Sequence, residues 1–134
     1  MTAELSGTKK VASWVMQLVA AVILGQTLYF KLTAAPESVY IFSTLGLEPA
    51  GRIGSAIAEG IAVVLLLLPR RAALGALLAL GVMAGAIVSH LTKLGIEVQG
   101  DGGLLFGLAL TVAVAALGVL ALRWRELPGL LRRA

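Results

Sequence analysis

Residues 49–69 read PAGRIGSAIAEGIAVVLLLLP, an apolar run between Pro49 and Pro69 whose only charges are Arg52 and Glu59. Its length matches the roughly 20 residues that a helix needs to cross a hydrocarbon core. Pro49 suits a first helical turn, where a missing N–H costs nothing, and Pro69 suits the far end. An acid at membrane depth costs about 2.5–3.5 kcal/mol on insertion scales, so such a residue faces protein and carries a role. Glu59 is therefore the first candidate for function.

The flanking sequence extends this reading. Val11–Phe30, Ala72–Thr92 and Gly102–Leu122 are three further uncharged runs of spanning length. With Lys31 closing the first, the spans fall at about 11–31, 49–68, 72–92 and 102–122. Mean hydropathy is +0.97, and 59% of residues are hydrophobic against 13% charged, unlike an ordinary soluble domain. The 134 residues are filled by these spans. The expected fold is all-α, a single integral membrane four-helix bundle over residues 1–134.

Lys9, Lys10, Arg70, Arg71, Arg123, Arg125, Arg132 and Arg133, eight of the eleven Lys and Arg, fall on one side of this topology. Only Lys31, Arg52 and Lys93 fall on the other. The positive-inside rule then places the N and C termini in the cytoplasm. Trp14 and Trp124 suit the inner interface, Tyr29 and Tyr40 the outer one. The basic residues flank helices and form no folded patch for nucleic acid. The N-terminal apolar run exceeds the 7–15 residues of a signal-peptide core, so a retained helix is expected.

The inner connection Pro69-Arg70-Arg71 makes the second and third helices an antiparallel hairpin. The outer connection from Lys31 to Arg52 is long. Within it, Pro36-Glu37-Ser38 resembles a helix start, Val39, Phe42 and Leu45 recur near helical spacing, and Gly46 provides a stop. A short interfacial helix over Pro36–Leu45, lying across the outer mouth, follows. Gly81-x3-Gly85, Gly103-x3-Gly107 and the Gly54, Ala58, Ala62 series read as close packing within the bundle, or as a dimer face.

Some chemistries are excluded. The chain has no cysteine and one histidine, so its own residues supply neither thiol exchange, nor thiolate metal sites, nor a haem held by two histidines. No Glu-x-x-His pair for a bundle di-iron site is present. The remaining polar residues gather by depth in the outer half: Gln26, Tyr29, Lys31, Arg52, Glu59, His90, Lys93 and Asp101. Glu59 lies about 10 Å below Arg52, two turns along one face with Ser55 between them, so Arg52 is its expected partner. Lys93 reads as snorkelling, and Asp101 as the cap of the fourth helix. Apart from Gln17, the inner half reads as apolar.

Gln26-Thr27-Leu28-Tyr29-Phe30-Lys31-Leu32, then Arg52-x6-Glu59 followed by Leu65–Leu68 and Pro69, then Ala86 and His90, occur in an order and spacing that resemble the DoxX family of small four-helix bacterial membrane proteins. The resemblance runs nearly to Leu122. It implies a multi-pass protein of the bacterial cytoplasmic (inner) membrane, with Lys31, Arg52, Glu59 and His90 as functional positions. Some relatives are membrane subunits of thiosulfate:quinone oxidoreductases or partner redox enzymes, and many have no established activity. The expectation is a redox-system subunit binding quinone or a similar amphipathic molecule. Glu59 would donate or accept a proton, and Gln26, Lys31, Arg52 and His90 would bind the ligand. The partners would be the bilayer, redox-enzyme subunits and further copies of the chain. A proton-coupled exporter or a purely structural bundle are the competing readings.

Overall fold

The computed structural model describes residues 5–128. Among them are four long helices, α1 Gly7–Leu32, α3 Ala50–Leu67, α4 Ala72–Ser89 and α5 Leu104–Arg123, and one short helix, α2 Pro36–Thr44. A π-helical turn, His90–Leu94, prolongs α4, and a 3-10 turn, Trp124–Glu126, ends α5. The four long elements are each long and apolar enough to cross a bilayer, as in a multi-pass membrane protein. Each packs on two neighbours, giving a ring in the order α1, α3, α4, α5.

The ends of these helices follow local chemistry. Helix α1 begins at Gly7, ahead of the expected Val11, because the Ser6 hydroxyl accepts the Lys9 N–H at 3.3 Å and caps it. Helix α5 begins at Leu104 because Gly102 and Gly103 hold φ values of +67° and +87°, which no right-handed helix accepts. Ahead of it Asp101 satisfies three backbone N–H groups, those of Val98 (3.0 Å), Gly103 (2.8 Å) and Leu105 (3.1 Å). The capping expected of Asp101 is thus present. Burial pushes its carboxyl up, but these donors and the nearby His90 outweigh that and hold it below the usual aspartate value.

Hydrogen bonds fix the directions. The end of α1 meets the start of α3 through Lys31 and Ser55, and Gln17 near its beginning meets Leu66 near the end of α3. Ser13 likewise meets Arg123 at the end of α5. The bundle is therefore antiparallel. One end, the terminal end, carries both described ends of the chain and the α3–α4 hairpin. The opposite loop end carries α2, the π turn and the loop before α5. Lys9, Lys10, Arg70, Arg71, Arg123 and Arg125 sit at the terminal end, while Lys31, Arg52 and Lys93 sit at the loop end. Arg132 and Arg133 lie outside the described residues.

Apolar side chains point outward along every long helix, among them Val22, Ile57, Ile61, Val64, Val88, Val114 and Leu117, all at least half exposed. In water such a surface would aggregate; in lipid it is the expected exterior. The core is correspondingly small. Ala20, Ala62, Ala76, Ala79, Ala115 and Ala116 dominate it with Leu24, Leu66, Val112 and Val119, which lets the backbones approach closely and gain dispersion contacts that lipid would not otherwise favour.

The glycines pack differently from the sequence expectation. A Cβ on Gly54, Gly81, Gly85 or Gly107 would meet nothing within 4 Å. The tight approaches lie elsewhere. A Cβ on Gly75 would stand 2.7 Å from the Leu66 nitrogen and 2.9 Å from Leu65 Cβ, and one on Gly118 would strike the Met16 sulfur. The Gly-x-x-x-Gly spacing shows that two glycines share a face. Which neighbour that face meets depends on the rotation of the helix in the bundle, and spacing alone does not contain it.

Candidate functional site

At the loop end the four long helices part and α2 covers the gap, enclosing a cavity of about 380 Å³. Its walls are mostly apolar: Ile23 and Leu24 from α1, Ile41, Phe42 and Leu45 from α2, Met83 and Ala86 from α4, Leu105 and Leu108 from α5. Into this lining project Thr27, Lys31, Ser55, Glu59 and His90.

Glu59 is 1% exposed. Its partner is Lys31, not Arg52: Lys31 Nζ stands 3.0 Å from Glu59 Oε1 and donates a 2.8 Å hydrogen bond to Ser55 Oγ. The ammonium meets Oε1 at ion-pair distance without hydrogen-bond alignment, so that buried oxygen has no hydrogen-bond partner among the described residues. Oε2 accepts from the Thr27 hydroxyl at 3.1 Å, a donor shared with the Leu24 carbonyl. The ring of Phe42 lies 5.6 Å from the same ammonium, a cation–π distance. An acceptor with spare capacity beside a cation with three N–H donors is chemically unfinished.

Arg52 has other work. It donates to both oxygens of Glu48, at 2.8 and 3.1 Å, and to the Lys31 carbonyl. That carbonyl lies in the last turn of α1, where it also accepts the Ala34 N–H at 3.3 Å. Arg52 thus ties α3 to the end of α1 and orients the backbone that carries Lys31. It lies outside the cavity lining, as does Gln26, which is exposed.

His90 is 5% exposed and opens the π turn, whose wider hydrogen bond runs from Gly95 N–H to the His90 carbonyl at 2.8 Å. Its Nδ1 lies 2.9 Å from the Gly95 carbonyl. A carbonyl only accepts, so Nδ1 carries the proton and Nε2 is the acceptor of the neutral ring. Phe106 holds the ring edge-on, centroids 5.4 Å apart. Lys93 is exposed, in keeping with snorkelling.

Sequence reasoning overlooked Thr27 and Ser55 as site residues. Each stands one helical turn from a charged partner, Thr27 from Lys31 and Ser55 from Glu59, and that spacing was the available signal. It also overlooked a second polar cluster at the terminal end. There Ser13 donates to Gln17 Oε1 at 2.6 Å and Gln17 Nε2 to the Leu66 carbonyl at 2.7 Å. Arg123 Nε donates to Ser13 Oγ at 2.6 Å and Gln17 Oε1 at 3.0 Å, and its Nη1 to Glu126 at 2.7 Å.

A scan against protein-family models matches no family, and searches of curated proteins and of solved structures return no similar chain.

Proposed function

We propose that this chain binds quinone, or a closely similar amphipathic molecule, in the loop-end cavity, as a DoxX-like membrane subunit of a redox system. One observation carries the reading: a largely apolar cavity of about 380 Å³ that meets an ion pair, Lys31–Glu59, at its polar wall. The volume falls in the usual range for small-molecule sites, and apolar walls with a few convergent polar groups are their usual make-up. In this reading both termini face the cytoplasm of a bacterial inner membrane, the cavity lies in the outer half and α2 rests at the outer interface.

The residues divide the work. Lys31 gives one N–H to Ser55 and directs charge at Glu59, leaving donor capacity for a quinone carbonyl. His90, with Nδ1 committed to Gly95, offers Nε2 as acceptor to a hydroquinone hydroxyl. Glu59, beside Lys31 at the polar wall of the cavity, would pass a proton to or from the ligand oxygen. Reduction of a quinone consumes two electrons and two protons. This chain supplies binding and proton groups, and the electrons come from a partner redox subunit. Arg52 and Glu48 act by holding Lys31 in place.

The test is quinone binding to purified protein, wild type against Glu59→Gln and Lys31→Met. A loss of affinity of about tenfold or more in the variants, equivalent to about 1.4 kcal/mol, is expected. Equal, weak binding in all three proteins rejects the reading and leaves the polar cluster as a brace between α1 and α3.

A further inference from the structure

The cavity is not sealed on the side facing lipid. Gly81 and Gly85 both line it, yet both are exposed on the outside of α4. A Cβ at either would meet nothing within 4 Å, whereas one at Gly75 would collide with Leu65 and Leu66. Gly75 faces α3 beside the hairpin, whereas Gly81 and Gly85 lie on a different stripe of α4 that faces open space and leaves a gap in the cavity wall. The gap continues into an external apolar groove lined by Leu65, Leu74, Leu77 and Leu78, which shares Gly81 and Val82 with the cavity. Leu74, Leu78, Gly81 and Gly85 follow helical spacing on one stripe of α4, so groove and opening are continuous along it. From Gly81 to Leu74 the groove runs roughly 10 Å at 1.5 Å per residue.

The loop end of the cavity is covered by α2. Ser38, Ile41, Phe42 and Leu45 of α2 lie over the mouth between the helix ends. A molecule bearing a long apolar chain would have to pass this cover from the aqueous side, but meets only lipid at the glycine gap. Polar groups meet the cavity at one wall: Glu59, buried and paired with Lys31 at 3.0 Å, lines it together with Lys31, Thr27 and Ser55.

We infer that the α3–α4 gap at Gly81 and Gly85 is a lateral portal, through which a single-tailed lipid-soluble ligand passes from the bilayer, leaving its polar head at Lys31–Glu59 and its tail in the groove beside Leu74, Leu77 and Leu78. The substrate class is therefore a membrane-resident molecule with one extended apolar chain, not a water-soluble one. This rests on the head-group site proposed above.

Two head-matched probes separate the two ideas: a tail-less dimethoxybenzoquinone and its decyl-tailed analogue, titrated against purified protein in lipid nanodiscs. Reading each variant as a ratio to wild type cancels the probes' different partitioning into lipid. Gly81→Leu and Gly85→Leu fill the gap and are expected to weaken the decyl probe roughly tenfold while leaving the tail-less probe within about twofold. Glu59→Gln should weaken both probes alike. If wild type binds neither probe, the head-group site and the portal fall together. If it binds both and the glycine variants weaken neither or both equally, the portal alone is overturned. A decyl probe with a photoreactive diazirine at the chain end gives a measurement on unaltered protein. Crosslinks at Leu74, Leu77 or Leu78 support the tail position, and crosslinks confined to α2 reject it.

Discussion

The bundle contains two buried polar clusters, one near each end, built from similar groups. At the terminal end Ser13, Gln17, Arg123 and Glu126 interlock three helices, and Gln17 also takes up the Leu66 carbonyl, one of the unpaired acceptors in the last turn of α3. At the loop end Thr27, Lys31, Ser55 and Glu59 join α1 to α3. The difference is the space beside them. None of the terminal-end residues lines the cavity, and the alanine-rich core closes above them. The loop-end residues face about 380 Å³ of mostly apolar space. A buried polar group is by itself no sign of function. Polar groups that bond one another away from any cavity act as a lock, and the same groups turned towards a cavity make a site.

The largest effect should come from breaking the lock. Arg123→Ala removes the partner of Glu126, of which one oxygen has no hydrogen bond among the described residues, and leaves Ser13 and Gln17 with one donor fewer. The pair is part-buried, its side chains 11% and 12% exposed, so its loss should cost between about 1 kcal/mol, as for an exposed pair, and about 3–5 kcal/mol, as for a buried one. Denaturation of the reconstituted protein should fall by an amount in that range, with quinone affinity unchanged in the folded fraction. A stability loss below about 1 kcal/mol, the value of an exposed pair, would mean that the terminal cluster is not a lock.

A second contrast sets Gly75, packed against α3, against Gly81, which faces open space. Gly75→Val forces a branched side chain to within van der Waals overlap of Leu65 and Leu66. Overpacking of this kind costs about 1–3 kcal/mol. Gly81→Ala, where a Cβ meets open space, should leave the same denaturation midpoint unchanged or slightly higher, because glycine costs helix stability relative to alanine. Equal destabilisation by both changes would show that Gly81 does not face open space.

Much of this plan was legible in the sequence, and the part that was not has one cause. Four apolar runs and the Pro69-Arg70-Arg71 turn fix four antiparallel helices, because bilayer thickness and backbone hydrogen bonding leave few alternatives. Pro36 and Gly46 bracket the short helix for similarly local reasons. Depth was also readable, since 1.5 Å per residue places Glu59, His90 and Lys31 towards the same end. The rotation of each helix about its axis was not. Arg52 and Glu59 do share a face, but two turns apart, and Glu48 claims the guanidinium at 2.8 Å. Lys31 arrives from α1, at a position that only the packing of α1 against α3 determines. The same ignorance hid the terminal lock: Ser13 and Gln17 look incidental within an apolar run, and Arg123 resembles an ordinary member of a basic rim until the two helices are placed side by side.

Smaller again is the effect expected at Glu59 on stability, and here the comparison becomes sharpest. Glu59→Gln keeps the size and the acceptor for Thr27 while removing the charge beside Lys31. In a site it should weaken ligand binding while moving the denaturation midpoint far less than Arg123→Ala. If it instead destabilises the protein as strongly as Arg123→Ala and leaves binding intact, the loop-end cluster is a second lock and the cavity beside it is incidental.

The smallest effect belongs to Asp101, outside both clusters, and it depends on pH. Three backbone donors hold its carboxylate below the ordinary value of 3.8 in the folded protein. A carboxyl depressed on folding contributes stability that is fully present above its unfolded value and is lost as pH falls through the folded one. The contribution should therefore be constant at neutral pH and begin to decline as pH drops below about 4 to 5, near the unfolded aspartate value. Asp101→Asn keeps one acceptor oxygen for the loop but removes the titrating charge. Compared with wild type across this acid range, it should flatten the corresponding part of the stability curve and loosen hydrogen-exchange protection at Gly103 and Leu105. An unchanged acid slope would place the cause of acid sensitivity elsewhere in the bundle.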